Sequence, residues 1–253
     1  MQMRTRLKLA LALAVCACAA TSVQSVETAG AVRLGVDVSR FNGAINWERA
    51  AGAGVRFAFI AASRGRGDDC AVVRRSCAED PNYDQNYAGA RAAGVIVGPY
   101  HRAFIAGGSH GELIADARAE ADVFIASVGS LRKKDLSPAL DVETPFDVAG
   151  PNALKKWIRA WVKRVRKRLG RKPIIYTNMV SWTATGDTRE FAKRGHRLWV
   201  ASWGVSRPTV PAGNWAGRGW AIWQYTSNGR VPGIQGDVDL NRLAVRYAQL
   251  RKR

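Results

Sequence analysis

Four acidic residues stand in or at the ends of short apolar segments of the chain. Asp37 lies near the end of LGVDVS, Asp141 and Glu143 end PALDVE, and Asp239 lies in GDVDLN. Burying a carboxylate costs free energy unless the group is paired or functional. In a chain with 39 Lys and Arg and only 20 acidic residues, this placement predicts a carboxylate-based active site.

The spacing of Asp141 and Glu143 suits glycoside hydrolysis. Residues i and i+2 of a strand face the same side, so the two carboxyl groups should project together. In that reaction one carboxyl group protonates the leaving oxygen, while another stabilises or attacks the oxocarbenium-like centre. Glu143 has the longer side chain and is the predicted general acid.

Aromatic residues accompany the same segments and offer faces for stacking on sugar rings. Six of them lie in or just after predicted strands: Tyr100, Tyr176, Trp199, Trp203, Trp223 and Tyr225. Because large aromatics fill interiors as readily as clefts, we expect about half of them to be structural. The predicted substrate-binding set is Tyr100, Tyr176, Trp203, Trp223 and Tyr225.

The elements that would position these residues alternate along the chain. Eight β-like runs are LGVDVS, FAFIAAS, VIVGPYH, PALDVE, KPIIYTN, LWVASW, AIWQYT and DVDLN. Helical patterns occupy residues 47–53, 83–93, 111–128 and 152–169, with a shorter one near 189–194. This alternation predicts an α/β fold, a single irregular TIM-like barrel over residues 31–250 with eight strands and about five helices. The site should lie at the carboxyl ends of the strands.

The first 25 residues resemble a secretory signal peptide, because three cations precede an uninterrupted apolar stretch from Leu9 to Ala20. That stretch is shorter than the roughly 20 apolar residues that span a bilayer, so no stable membrane insertion is expected. A lipid-anchored form beginning at Cys16 or Cys18 is the weaker alternative. We therefore expect cleavage of residues 1–25 and an extracellular, cell-wall or periplasmic location.

Cys70 and Cys77 are the cysteines that remain after this cleavage. Export to an oxidising compartment predicts a disulfide between them, with a pair of free thiols as the alternative. Two cysteines do not make a zinc site. The three histidines lack ligand spacing and the chain has no phosphate-binding loop, so no metal or other cofactor is expected.

The chain is strongly basic. Its formal net charge is +19, and removal of a segment with three cations and no acid leaves +16. In an exported protein such a charge favours adsorption to anionic wall polymers. The densest basic run, residues 153–169, has apolar residues at helical spacing, which predicts an amphipathic surface helix. No nucleic-acid-binding motif occurs, so nucleic acid is not an expected specific partner.

Several segments together resemble family 25 of the glycoside hydrolases, the Chalaropsis-type lysozymes. They are GVDVSRFNGAINW, DPNYDQNYAGARAAGVIVGPYH, LDVE, PIIYTN, LWVASWG and WAIWQYTSNGRVPGIQGDVDLN. The resemblance implies an incomplete barrel of eight strands and five helices that cleaves between N-acetylmuramic acid and N-acetylglucosamine in peptidoglycan glycan strands. It also implies an acidic set of Asp37, Asp141, Glu143 and Asp239, with Glu143 as proton donor and Tyr100 nearby. A monomer is expected.

Two short segments depart from the family's usual pattern. Where members usually read K-A-T-E-G this chain reads AASRG, so Arg64 replaces an acid. The usual Y-H-F is here YHR, ending in Arg102. Neither change removes a catalytic carboxylate, and both put the sugar-binding subsites in question.

Two rival functions remain open at this point. AASRG after a strand loosely resembles the nucleophile elbow of a serine hydrolase, with Ser63 as nucleophile and His196 in plausible chain order. The elbow requires a helix directly after the serine, whereas GRGDDC is typical of a loop. The other rival is a non-catalytic wall-binding module that kept the barrel, and the four intact acids argue against it.

Overall fold

Eight strands close into a barrel in this computed structural model, which describes residues 33–66 and 78–251. The ten strands of the described residues are β1 (Arg33–Val38), β2 (Phe57–Arg64), β3 (Ile96–Arg102), β4 (Ala106–Gly107), β5 (Ala139–Asp141), β6 (Asp147–Val148), β7 (Ile174–Asn178), β8 (Leu198–Ala201), β9 (Ile222–Gly229) and β10 (Val238–Leu243). The helices there are α1 (Trp47–Gly52), α2 (Tyr83–Ala92), α3 (His110–Val128), α4 (Gly150–Leu169), α5 (Met179–Thr183), α6 (Glu190–Lys193) and α7 (Pro211–Gly217).

The barrel order is β1-β10-β9-β8-β7-β5-β3-β2, so the predicted α/β barrel of eight strands is confirmed. Six neighbouring pairs are parallel, whereas β10 is antiparallel to both β1 and β9. The sequence-based expectation that the carboxylates all lie at carboxyl ends of strands is therefore wrong for Asp239. This residue lies near the amino end of β10, which the reversed strand direction brings to the same rim.

Helices cover the outer face of the barrel at the five predicted positions. In α4 the apolar stripe is buried, with Ile158, Trp161 and Val165 fully enclosed, while the cations between them are mostly exposed. Helices α5 and α7 were not predicted. Residues 212–216 of α7 form a left-handed turn, with φ between 52° and 59°. Because left-handed turns are unfavourable for residues with a Cβ, no propensity pattern could have predicted it.

Large aromatics fill the interior of the barrel. Phe57 and Phe59 point inward from β2, and Phe59 stacks on Trp199 with ring centroids 4.6 Å apart. Glycines on the flanking strands make the space: a Cβ at Gly35 would lie 2.2 Å from the Phe57 ring, and one at Gly98 would lie 2.7 Å from Phe59. The interior is thus a packed floor beneath the rim that carries the acids.

Two sets of expectations fall outside the described residues. These are the signal peptide of residues 1–25 and the disulfide between Cys70 and Cys77. The domain bounds of 31–250 stay a prediction. Within the described ranges, no helix combines the length and apolar character needed to cross a membrane.

Candidate active site

The four predicted acids meet in one pocket at the rim of the barrel. Its volume is about 390 Å³. The lining residues are Asp37, Tyr100, Asp141, Glu143, Tyr176, Trp199, Trp203, Gln224, Ser227 and Asp239. They come from seven barrel strands and from the segments that follow two of these strands, β5 and β8. Residues far apart in sequence are therefore brought together because the strand ends share one rim.

Asp37 and Asp239 form a carboxyl pair across two strands. They are directly opposite each other in the register of β1 and β10, which brings their side chains close on the same face. Burial raises the pKa of Asp37 to about 6, although hydrogen bonds from Asn241 and Gln224 lower it. Burial and the neighbouring Asp37 raise the pKa of Asp239 to about 8. The raised pKa values of both groups favour one proton held between the two carboxyl groups.

This pairing predicts a pH-dependent stability. An unfolded aspartate titrates near a pKa of about 3.9, so the folded chain binds more protons between about pH 4 and 8 and loses stability as the pH rises. The substitution Asp239→Asn removes the carboxyl group whose pKa is raised to about 8. We expect its melting temperature to fall less between about pH 5 and 8 than that of the wild type. Calorimetry at both pH values measures the difference, with the exposed Asp84→Asn as control. Parallel losses in wild type and Asp239→Asn would contradict the shared proton.

Asp141 is the most enclosed acid of the β5 segment. Burial raises its pKa well above the usual range, the charge of Arg102 lowers it, and Glu143 raises it by charge and by hydrogen bonding. The Nε atom of Arg102 lies 3.6 Å from Oδ2 of Asp141. The Oδ1 atom of Asp141 is buried and receives no hydrogen bond from an N–H or hydroxyl group of the described residues. The raised pKa of Asp141 favours its neutral form beside Glu143.

The segment carrying Glu143 is fixed by its backbone. Nη1 of Arg102 donates to the carbonyl oxygen of Glu143 at 3.1 Å, and Nη2 donates to that of Thr144 at 3.3 Å. The amide of Thr144 donates to Oγ of Ser181 at 3.1 Å. Strand β6 then pairs with β4, which ties the same segment to the loop after β3. Glu143 is half-buried on this braced segment, with its carboxyl group in the pocket.

A buried amide network, which the sequence interpretation missed, orients Asp37. Nε2 of Gln224 donates to both Asp37 oxygens at 3.1 Å, and Nδ2 of Asn241 donates to Oδ2 at 2.6 Å. The Oε1 atom of Gln224 accepts hydrogen bonds from Tyr176 and Trp203, each at 3.0 Å. Gln224 and Asn241 stand within the motifs WQY and DVDLN, and this was the available signal.

The predicted aromatic set divides into two groups. Tyr100, Tyr176 and Trp203 line the pocket, and Trp203 is 54% exposed. Trp223 and Tyr225 lie on the other face of β9. Trp223 is buried in the outer core and donates from Nε1 to the carbonyl oxygen of Ser202 at 2.8 Å.

The guanidinium of Arg242 lies 4.4 Å from the centroid of the Tyr225 ring, on that same outer face. Phe41 is an aromatic residue that the predicted set did not include. It is 81% exposed and lines a second cavity, which shares Tyr100 and Asp141 with the pocket. It lies in the motif GVDVSRFNGAINW, which was the available signal.

Ser63 is placed differently from the serine-hydrolase hypothesis. Its Oγ lies 2.8 Å from Nδ1 of His101, whose Nε2 lies 2.8 Å from Glu120, and all three residues are buried. His196 instead pairs through Nδ1 with the carbonyl oxygen of Pro173.

No elbow surrounds this serine, because Ser63 lies inside strand β2. The two following amides, of Arg64 and Gly65, donate to the backbone carbonyls of Ala78 and Arg102. Those amides are therefore not available as oxyanion donors, and the network favours a structural role for Ser63.

The geometry supplies the parts of a carboxylate-dependent hydrolysis of a sugar polymer. Glu143 offers a carboxyl group at the opening, Asp141 offers a buried partner, and the Asp37–Asp239 pair lies across the pocket. Tyr100 and Trp203 present ring surfaces at the same opening. Carboxyl pairs of this kind protonate a glycosidic oxygen and stabilise the positive charge that develops at the anomeric carbon.

Comparison with known proteins agrees with this arrangement. Residues 36–234 match the family model "Glycosyl hydrolases family 25". Lysozyme M1 of Streptomyces globisporus is 35% identical over 237 residues, which cover 90% of this chain and 73% of the relative. An N,O-diacetylmuramidase of Chalaropsis sp is 29% identical over 227 residues, covering 83% and 98%.

A solved structure shares both the fold and much of the sequence. The bacterial lysozyme from Streptomyces coelicolor superposes with a TM-score of 0.73 at 34% identity, covering 88% of this chain and 96% of that one. The residues matched by the family model include Asp37, Asp141 and Glu143. The chain therefore belongs to glycosyl hydrolase family 25.

Proposed function

We propose that this protein is a muramidase, a lysozyme that hydrolyses the β-1,4 bond between N-acetylmuramic acid and N-acetylglucosamine in peptidoglycan. The observation that carries the proposal is the meeting of Asp37, Asp141, Glu143 and Asp239 in one pocket. The lysozymes and muramidases among the relatives support the same substrate.

Glu143 is the proposed general acid. It is the acid of the β5 segment that is partly open to solvent, so a glycosidic oxygen in the pocket can approach its carboxyl group. Proton transfer to that oxygen breaks the bond to the leaving sugar, and water completes the hydrolysis at the anomeric carbon. The backbone contacts from Arg102 and the Ser181 contact to Thr144 hold the acid in place during the transfer.

Asp141 is proposed to act on the sugar ring. Peptidoglycan sugars carry an N-acetyl group that can attack its own anomeric carbon, and a carboxyl group beside the acid can orient that group. The Asp37–Asp239 pair would stabilise positive charge on the ring from the opposite side of the pocket. The residues Gln224 and Asn241 keep Asp37 aimed into the pocket.

Mass spectrometry of the products from defined peptidoglycan tests the proposal. A muramidase releases fragments with N-acetylmuramic acid at the new reducing end. Fragments ending in N-acetylglucosamine would identify a glucosaminidase or chitinase-like enzyme instead. Binding to isolated walls without any new reducing ends would favour the non-catalytic wall-binding module.

We further propose that the enzyme acts outside the cell after removal of residues 1–25, because the N-terminal sequence has the features of a secretory signal. Its basic surface would adsorb to anionic wall polymers. Lys156, Lys163 and Lys167 of α4 and Arg118 of α3 line one shallow groove of about 480 Å³. Long-range attraction of this kind raises the concentration of enzyme at the wall.

A further inference from the structure

A second cavity adjoins the carboxylate pocket and shares Tyr100 and Asp141 with it. Its volume is about 410 Å³, and three arginines line it, namely Arg40, Arg64 and Arg102. The shared lining residues place the cavity beside the pocket in which the sugar chain would be cut. A substituent of a sugar bound over Tyr100 would therefore reach into it.

Two of these arginines already have anionic or carbonyl partners. Nε of Arg40 lies 3.8 Å from Oδ2 of Asp80, and its Nη2 donates to the carbonyl oxygen of Glu79 at 2.7 Å. Arg102 contacts Asp141 and donates to the carbonyl oxygens of Ala103 and Glu143. Their charges and donors are largely engaged by the protein itself.

Arg64 differs from both. Within the described part of the chain its guanidinium makes neither an ion pair nor a hydrogen bond, and its Nε is buried without a partner. The guanidinium carbon lies 4.8 Å from the centroid of the Phe104 ring, so this ring covers one face of the guanidinium. Burial lowers the pKa of Arg64, and repulsion from Arg40 and Arg102 lowers it further. An unpaired guanidinium in such surroundings gains most from an anionic partner.

We infer that Arg64 binds a carboxylate of the glycan substrate in this cavity, an inference that rests on the proposed muramidase function. A planar guanidinium matches a carboxylate in a bidentate geometry, with Phe104 supporting one face. Muramic acid offers this chemistry in two places. Its lactyl group ends in a carboxylate when no peptide is attached, and attached peptide stems carry carboxylates of their own. The enzyme would then prefer anionic peptidoglycan to neutral glycan.

Binding to an inactive enzyme tests the inference. In a Glu143→Gln background, we expect glycan strands from native peptidoglycan to bind about tenfold more tightly than the same strands with their carboxyl groups converted to amides. Adding Arg64→Gln should remove this preference. Adding Arg168→Gln removes the same charge from an exposed position of α4 and should leave the preference intact. Dissociation constants from calorimetry give the ratio.

One further variant and one further substrate show whether Arg64 binds a carboxylate and which carboxylate it binds. Arg64→Lys keeps the positive charge but loses the two parallel N–H donors, so it should retain only part of the preference for strands with free carboxylates. It replaces Arg64→Gln in the comparison if that variant does not fold. Strands stripped of peptide stems carry only lactyl carboxylates, so Arg64-dependent binding to them identifies the lactyl group and its loss identifies the stem. An undiminished preference in the Arg64 variants overturns the inference. If the wild type releases no reducing ends, the proposed function fails instead.

Discussion

Replacing Glu143 by Gln is expected to lower the release of reducing ends from peptidoglycan about a hundredfold or more. The amide has nearly the same shape, but its N–H groups are far too weakly acidic to transfer a proton, so the leaving oxygen would depart as an anion. Backbone contacts from Arg102 and the Thr144–Ser181 hydrogen bond do not involve the Glu143 carboxyl group. The fold should therefore survive the change, and substrate binding should persist.

Controls for this experiment separate the acid from its surroundings. Glu48→Gln makes the same substitution at an exposed position of α1 and should leave the rate unchanged. Ser63→Ala tests the serine-hydrolase rival, because that mechanism would lose all hydrolysis with the hydroxyl. Glu143→Gln activity within a few-fold of wild type would show that another group protonates the leaving oxygen.

Asp141→Asn is expected to reduce kcat about 10²- to 10³-fold, the loss typical of removing a group that stabilises transition-state charge. The amide cannot gain or lose a proton beside Glu143, and it polarises an N-acetyl group less than a carboxyl group does. Stability should not fall in parallel, because the raised pKa of Asp141 means that its neutral form suits the fold better than its charged form. Rates on peptidoglycan and melting curves of the same samples check both parts. Wild-type kcat in this variant would remove Asp141 from the mechanism.

The stereochemistry of the product defines the role of Asp141 further. If Asp141 orients the N-acetyl group of the substrate, attack by that group and then by water gives retention at the anomeric carbon. NMR of the freshly released sugar distinguishes the two anomers before they equilibrate. Inversion would eliminate the substrate-assisted route and assign Asp141 to the activation of water.

Sequence patterns predicted the barrel well because its elements are long or repetitive enough to be recognised locally. The apolar stripe of α4 and the eight short β-like runs each reflect burial against the barrel wall. Such patterns could not predict that β10 runs antiparallel to its two neighbours. A strand has the same local pattern whether its neighbours run parallel or antiparallel, so only the hydrogen-bonded register with β1 and β9 decides it.

The sequence patterns also could not predict which side chains of a strand point into the barrel and which point outward. Strands of this barrel are buried on both sides, by the aromatic interior and by the helices, so the apolar runs lack a clear alternation. In AIWQYT this ambiguity placed Trp223 and Tyr225 in the predicted site and left out Gln224. The structure turns Gln224 inward to Asp37 and the two aromatics outward.

The sequence by itself identified the four acids that meet in the pocket, since burying carboxylates in apolar segments costs free energy unless the groups are paired or functional. It also predicted that Asp141 and Glu143 project together, because their two-residue spacing is a local property. In the structure β5 ends at Asp141, and Glu143 reaches the same pocket from the segment that follows. Only the tertiary structure decided that Asp37 and Asp239 face each other across two strands and that Gln224 and Asn241 orient Asp37. It also decided that Arg64, beside the pocket, has no hydrogen-bond or ion-pair partner among the described residues. Each of these depends on contacts between distant parts of the chain, and such contacts exist only once the barrel has closed.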